Sequence, residues 1–180
     1  MDAITQFDLN ILHSIHEGIS CGFLDAVFPK LTLLCYLFIG AAVVFLFFRK
    51  FRQGGAAMCG AILLSLLVGN LLLKNLVARD RPCWIDPDFL QLLVSVPKDF
   101  SFPHTMISVS AAAALFHYSK ALGIPALVIA ALVGFSRLYL FVHFPTDVLA
   151  GAVIGVILAV VSCIVTDKIA ARIKSKKAVN

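Results

Sequence analysis

Charge is what this sequence has least of. Only 14% of its 180 residues are Asp, Glu, Lys or Arg, while 61% are hydrophobic and the mean hydropathy is +0.97. Soluble domains carry about a quarter charged residues and about half apolar ones. Too little polar surface exists here to cover a globule, so a soluble fold is excluded and lipid must be the solvent for much of the chain. Cysteine is sparse and odd in number: Cys21, Cys35, Cys59, Cys83 and Cys163 show no C-x-x-C spacing, and three lie in apolar stretches. No disulfide framework is implied. An H-E-x-x-H spacing is missing too, which argues against a protein-held metal. The net charge of +5 falls in short clusters rather than in a stripe with interleaved aromatics, so nucleic acid is not the expected partner. The first residues lack the basic start and small-residue cleavage site of a signal peptide, and the first span is expected to act as its own targeting signal. There is no internal repeat, low-complexity tract or flexible linker.

What is present is a series of apolar runs near residues 31–48, 55–75, 103–119, 123–142 and 145–166. A helix needs about 20 residues to cross a hydrocarbon core. The pattern predicts an all-α integral membrane protein, a bundle of about five transmembrane helices and at most six. Before them, Ile4, Phe7, Leu9, Ile11, Leu12, Ile15 and Ile19 recur at helical spacing among Asp8, Asn10, His13, His16 and Glu17. That alternation suits an amphipathic helix lying in the interface. The expected organisation is one membrane domain over 1–180: an interfacial helix within 1–28, a transmembrane core over 31–166 and a basic tail over 167–180. Gly151 and Gly155 form a G-x-x-x-G, which lets another helix approach closely. Packing within the chain is the expected use, and a homodimer the other.

Orientation follows from the basic residues. Arg49, Lys50 and Arg52, then Lys120, then Lys168, Arg172, Lys174, Lys176 and Lys177 all fall on one side of five spans. That side, with the carboxyl terminus, is expected to be cytoplasmic, and the loop from 77 to 102 extracytoplasmic. Trp84, Phe89 and Phe100 in that loop are expected either to anchor it at the interface or to cover a substrate chain.

Three polar constellations interrupt the apolar text, each at a predicted helix end on that outer side. Charge near the hydrocarbon core is costly, about 2.5 to 3.5 kcal/mol per residue on insertion scales, so it persists where it is paired or used. The first runs from Lys74 to Arg81-Pro82. Lys74 offers a mobile point charge and Arg81 a planar fork for phosphate oxygens, and Pro82 stops the helix and fixes where Arg81 points. A snorkelling lysine in a cationic girdle is the plainer alternative for this stretch. The second is Ser101-Phe102-Pro103-His104-Thr105. The third is Ser136-Arg137 followed by His143 and Asp147, S-R-x5-H-x3-D. A neutral imidazole can attack phosphorus if a carboxylate fixes its tautomer and stabilises the developing cation. Asp147 is spaced to do this for His143, and Arg137 to neutralise the transferred phosphoryl group.

These residues resemble the membrane-bound type 2 phosphatidic acid phosphatases, whose signature is K-x6-R-P, then P-S-G-H, then S-R-x5-H-x3-D. The first and third motifs match without a gap. The resemblance implies that His143 is the nucleophile and Asp147 its orienting partner. It also implies that Lys74, Arg81, Arg137 and Ser136 bind phosphate, and that neither metal nor other cofactor is needed. The second motif departs: Pro103 is followed directly by His104, as though Ser and Gly were missing. Aligned from the helix side, His104 is the acid that protonates the leaving oxygen. Aligned from the loop side, His104 replaces the serine and Met106 the acid. The helix-side alignment is preferred, because a loop absorbs a deletion more readily than a helix rotates its first turn.

The implied activity is hydrolysis of a lipid phosphate or diphosphate through a phosphohistidine, at the outer face of the cell membrane. The likeness to short bacterial members points first to undecaprenyl diphosphate, with phosphatidylglycerol phosphate or phosphatidic acid as rivals. A rival of another class is a catalytically impaired protein that binds or moves lipid phosphates, supported by the shortened second motif.

Overall fold

In a computed structural model the described residues are 3–89, 92–102 and 106–179. All regular structure among them is helical. The amino-terminal segment is two helices, α1 (Ala3–Ile19) and α2 (Gly22–Leu31), broken where Cys21 takes an extended backbone. A turn at residues 32–33 leads to α3 (Leu34–Phe47), and α4 (Arg52–Ser65) returns antiparallel to it. A wider π-helical stretch, Leu66–Leu73, carries α4 into the short α5 (Lys74–Val77). After α6 (Pro82–Ile85) and the loop come α7 (Met106–Tyr118), α8 (Lys120–Tyr139) and the long α9 (Pro145–Val179).

Four stretches are long and apolar enough to cross a membrane: Gly22–Phe47, Arg52–Ile85, Lys120–Tyr139 and Pro145–Lys176. Among the described residues such stretches therefore number four, against the expected five or six. The expected third span is the one that falls short. α7 has 13 described residues, about 20 Å of helix against a hydrocarbon core of about 30 Å. The first span also begins earlier than expected, because α2 continues through Pro29 and Lys30. The basic tail extends α9 as helix rather than forming a separate segment.

α7 sits in the middle, packed against α4, α8 and α9. Its Ala111, Ala112 and Ala114 are fully buried, as are Ala57 and Ala61 of α4, and Ala130 and Ala159 come next to them. Large apolar side chains point outward instead: Leu132, Leu149, Val153 and Ile157 are all exposed. This inversion is what lipid favours, since hydrocarbon solvates large apolar groups while small ones let backbones approach. A Cβ on Gly123 would lie 2.2 Å from Phe116 Cα, so α8 meets α7 at backbone distance. Gly155 likewise faces the first turn of α7, with the Met106 carbonyl 3.0 Å from where its Cβ would be, and Gly151 is also buried. The G-x-x-x-G is thus spent within the chain. Serine hydroxyls add bonds between helices: Ser65 donates to Ser110 at 2.8 Å and Ser162 to the Ala57 carbonyl at 2.8 Å.

α7 runs the length of the bundle. At one end Tyr118 donates to Asp167 of α9 at 2.7 Å and faces Gly54 of α4. At the other, Met106 meets the end of the second span and the α8–α9 junction around a cavity. α1 closes this end. Thr5, Asp8, Leu9 and Leu12 are buried on one face, and Ile4 and Phe7 are exposed on the other. The expected amphipathic helix is there, but Asp8, read as part of its polar face, is turned inward and fully buried.

Candidate active site

The cavity has a volume of about 550 Å³ and is walled by residues from the first and third constellations: Lys74, Arg81, Arg137 and His143 line it together. Its size is ordinary for a small-molecule site. Each wall residue owes its position to a local backbone device. The π-helical turns before Lys74 add residues per turn and so re-aim the side chains that follow them. Ala78 then takes a left-handed conformation (φ 45°, ψ 43°) that ends α5. From there the chain runs extended, so Arg79 and Arg81 turn inward while Asp80 between them is exposed. Pro82 starts α6 as the first helical residue, where its missing N–H costs nothing. On the opposite wall Phe141 is also left-handed (φ 57°), and the chain from Leu140 to Phe144 is buried. Among the described residues these two are the only non-glycine positions with positive φ. Such conformations cost about 1 to 3 kcal/mol each and tend to gather at functional sites.

His143 is 3% exposed, and its bonds define its tautomer. Arg81 Nη1 lies 2.9 Å from Nε2, and a guanidinium can only donate, so Nε2 carries the lone pair. Nδ1 lies 2.9 Å from the Ser101 carbonyl, which can only accept, so the proton is on Nδ1. The Ser101 hydroxyl donates to Asp147 Oδ2 and sits 3.3 Å from the same Nδ1. Ser101 therefore stands between His143 and Asp147, where the spacing alone pointed to direct contact. The outcome is an imidazole whose basic nitrogen is on the Arg81 side.

Asp147 is fully buried and its second oxygen accepts from Arg79 Nη1 at 2.6 Å. The same guanidinium reaches Thr146 Oγ1 at 2.7 Å and Asp8 Oδ2 at 2.9 Å, and it lies over the Phe144 ring, 4.0 Å from the centroid. Thr146 donates in turn to Asp8. One arginine thus bridges two buried carboxylates and ties α1 to the start of α9.

Arg81 is the best-held cation of the cavity. It donates through Nε to the Asp99 carbonyl at 2.6 Å, through Nη1 to the Val142 carbonyl at 2.7 Å, and through Nη2 to Asp99 Oδ1 at 2.7 Å. Lys74 Nζ donates to the other Asp99 oxygen. Burial alone would raise the Asp99 carboxyl. The hydrogen bond from Lys74 and the charge of Arg81 outweigh that and hold it below the usual carboxylate range. Arg137 donates to Thr32 through Nη1, and its buried Nε has no partner among the described residues. Three cations and one carboxylate around a hollow make a receptor for an anion carrying more than one charge.

The remaining predicted residues are placed differently. The Ser136 hydroxyl is fully buried and donates to the Val133 carbonyl at 2.7 Å. His104, with Pro103 and Thr105, lies outside the described residues. Trp84 and Phe89 pack inside the loop: Trp84 donates to the Pro97 carbonyl at 3.2 Å, and Phe89 stacks on His13 at 4.0 Å. Sequence reasoning missed Asp8, Arg79, Asp99 and Ser101. For Arg79 a signal existed: two arginines alternate about an aspartate just before a proline, the mark of an extended segment with one face inward. Among the described residues no group of His, Cys, Asp and Glu is arranged to hold a metal ion.

Comparison with known proteins gives this geometry a family. The chain is 32% identical over 124 residues to a Sulfolobus acidocaldarius protein named undecaprenyl-diphosphatase, a match covering 67% of this chain and 59% of that protein. Its backbone superposes on LpxE of Aquifex aeolicus with a TM-score of 0.75 at 28% identity, covering 87% of this chain and 94% of the other. It superposes on a transmembrane PAP2 type phosphatidylglycerolphosphate phosphatase of Bacillus subtilis with a TM-score of 0.72 at 30% identity, covering 94% and 89%. The profile of the PAP2 superfamily matches residues 54–170, which takes in most of α4 through most of α9 with Lys74, Arg81, Arg137 and His143 of the cavity wall, and the chain belongs to that superfamily.

Proposed function

We propose that this protein hydrolyses a lipid phosphate or diphosphate without a metal, through a phosphohistidine on His143. The observation that carries the reading is the fixed tautomer: a lone pair on Nε2 at a cavity ringed by Lys74, Arg81 and Arg137. A phosphate headgroup entering this ring takes over donors from Arg81 and meets the unpaired Nε of Arg137. Nε2 attacks phosphorus as the bond to the lipid oxygen breaks. The imidazolium that forms keeps its Nδ1 proton on Ser101, with the Asp147 charge one hydroxyl away. His104 protonates the departing oxygen and then takes a proton from the water that cleaves the P–N bond, returning His143 and releasing inorganic phosphate.

Undecaprenyl diphosphate is the first substrate to test, supported by the likeness to the Sulfolobus protein. Phosphatidylglycerol phosphate follows, supported by the likeness to the Bacillus one. α7 acts as a fifth crossing at the centre of the bundle, since its two ends reach opposite ends of the neighbouring spans. The basic residues at the α3–α4 turn, at Lys120 and along the end of α9 lie away from the cavity, which supports an extracytoplasmic site and a cytoplasmic carboxyl terminus.

The test is inorganic phosphate release from both lipids and from phosphatidic acid by purified protein in detergent without added metal. His143→Ala is expected to lower release by at least about 10³-fold. A chain with Ser-Gly inserted after Pro103 is run beside it. Release by the inserted chain alone would mark the present chain as an impaired binder of lipid phosphates, and release by neither would favour a transport or binding role.

A further inference from the structure

The phosphate cradle of the described site already holds an anion supplied by the chain. Asp99 spreads its two carboxylate oxygens over Lys74 and Arg81, the arrangement two phosphoryl oxygens would take. This carboxylate is 57% exposed and sits on the loop that walls the cavity, with solvent on its open side. Arg81 does not need it for its aim, because the Asp99 and Val142 carbonyls hold the guanidinium independently. Structural support therefore does not explain the carboxylate, whereas competition for the cradle does.

We propose that Asp99 is a specificity-determining residue: its carboxylate occupies the cradle until a phosphate group of higher charge displaces it. The proposal rests on the cavity being a phosphate site. A membrane surrounds such a site with phosphodiester headgroups, each carrying a single negative charge. Exchanging one singly charged group for another gains no Coulomb energy and still costs desolvation. A phosphomonoester carries a charge of about −1.5 to −2 at neutral pH, and a diphosphate more, so either gains on the exchange. Asp99 thereby screens out the bulk lipid that would otherwise crowd a site with three cations.

Isothermal titration of inorganic phosphate into the purified full chain in neutral detergent tests this without requiring turnover. Asp99→Asn keeps the shape and removes the charge, and is expected to bind phosphate about tenfold more tightly than the unaltered chain. Phosphatidylglycerol mixed into the micelles should then compete with phosphate in Asp99→Asn but not in the unaltered chain. Asp99→Glu, which keeps the charge, should behave like the unaltered chain. Equal or weaker phosphate binding by Asp99→Asn, no binding by either protein, or equal competition by phosphatidylglycerol in both would overturn the proposal. Tighter binding by Asp99→Asn in a chain that releases no phosphate from any lipid would leave the Asp99 role standing and sink the hydrolase reading instead.

Discussion

At the end of the bundle away from the cavity, α4, α7, α8 and α9 meet mostly through alanines and glycines, with Asp167 joining Tyr118 at the edge. At the cavity end the same helices are joined by Asp8, Arg79, Arg81, Asp147, Ser101 and His143, all buried or nearly so. The first end is held by backbones close enough for dispersion and serine bonds to act. The second is held by ion pairs whose members would be very costly if left alone. The difference teaches where each kind of substitution should hurt. Shape errors threaten the alanine-packed half and charge errors the cavity half.

The largest expected effect comes from breaking the ionic end. Arg79→Ala leaves Asp8 and Asp147 buried and unneutralised, and should cost about 3 to 5 kcal/mol. Thermal unfolding in detergent would show this as a fall of roughly 10 °C; a variant melting beside the unaltered chain would mean that the two carboxylates find other partners. The packed end answers to volume. Gly123→Ala drives a methyl group into the Phe116 backbone, which should cost about 1 to 3 kcal/mol. Phosphate release per folded molecule should stay unchanged, and a loss of turnover at full folding would show that the two ends are coupled. The smallest and sharpest change is Ser101→Ala. It removes the hydroxyl between His143 and Asp147 but keeps the carbonyl that holds Nδ1. Turnover should fall about tenfold at constant KM, with about 1 kcal/mol lost in stability; a raised KM with unchanged kcat would place Ser101 in binding rather than in nucleophile positioning.

This comparison also separates what could be read from the sequence from what could not. Lys74, Arg81, Arg137, His143 and Asp147 stood out because each is a polar interruption of apolar text at a helix end, where charge must be paired or used. The structure gathers the first four at one cavity and sets Asp147 behind His143. Asp8 was hidden for the opposite reason. On an amphipathic helix an aspartate is expected on the wet face, and the distant Arg79 and Thr146 give it a reason to turn inward. Ser101 and Asp99 act through contacts 42 and 25 residues away, which no local periodicity encodes. The span count differs at α7, whose 13 described residues are fewer than the apolar run of 103–119 led one to expect.

The reach of Asp8 bears on how the protein comes to be active. Its partners Arg79 and Thr146 follow it by 71 and 138 residues. At about 5 to 20 residues per second, a ribosome separates Asp8 from Thr146 by roughly 7 to 28 s. Until then the nascent chain holds an aspartate with one of its two partners missing, and His143 emerges only just before Asp147. The order of synthesis thus leaves the cavity end of the bundle unassembled until the last helix is made.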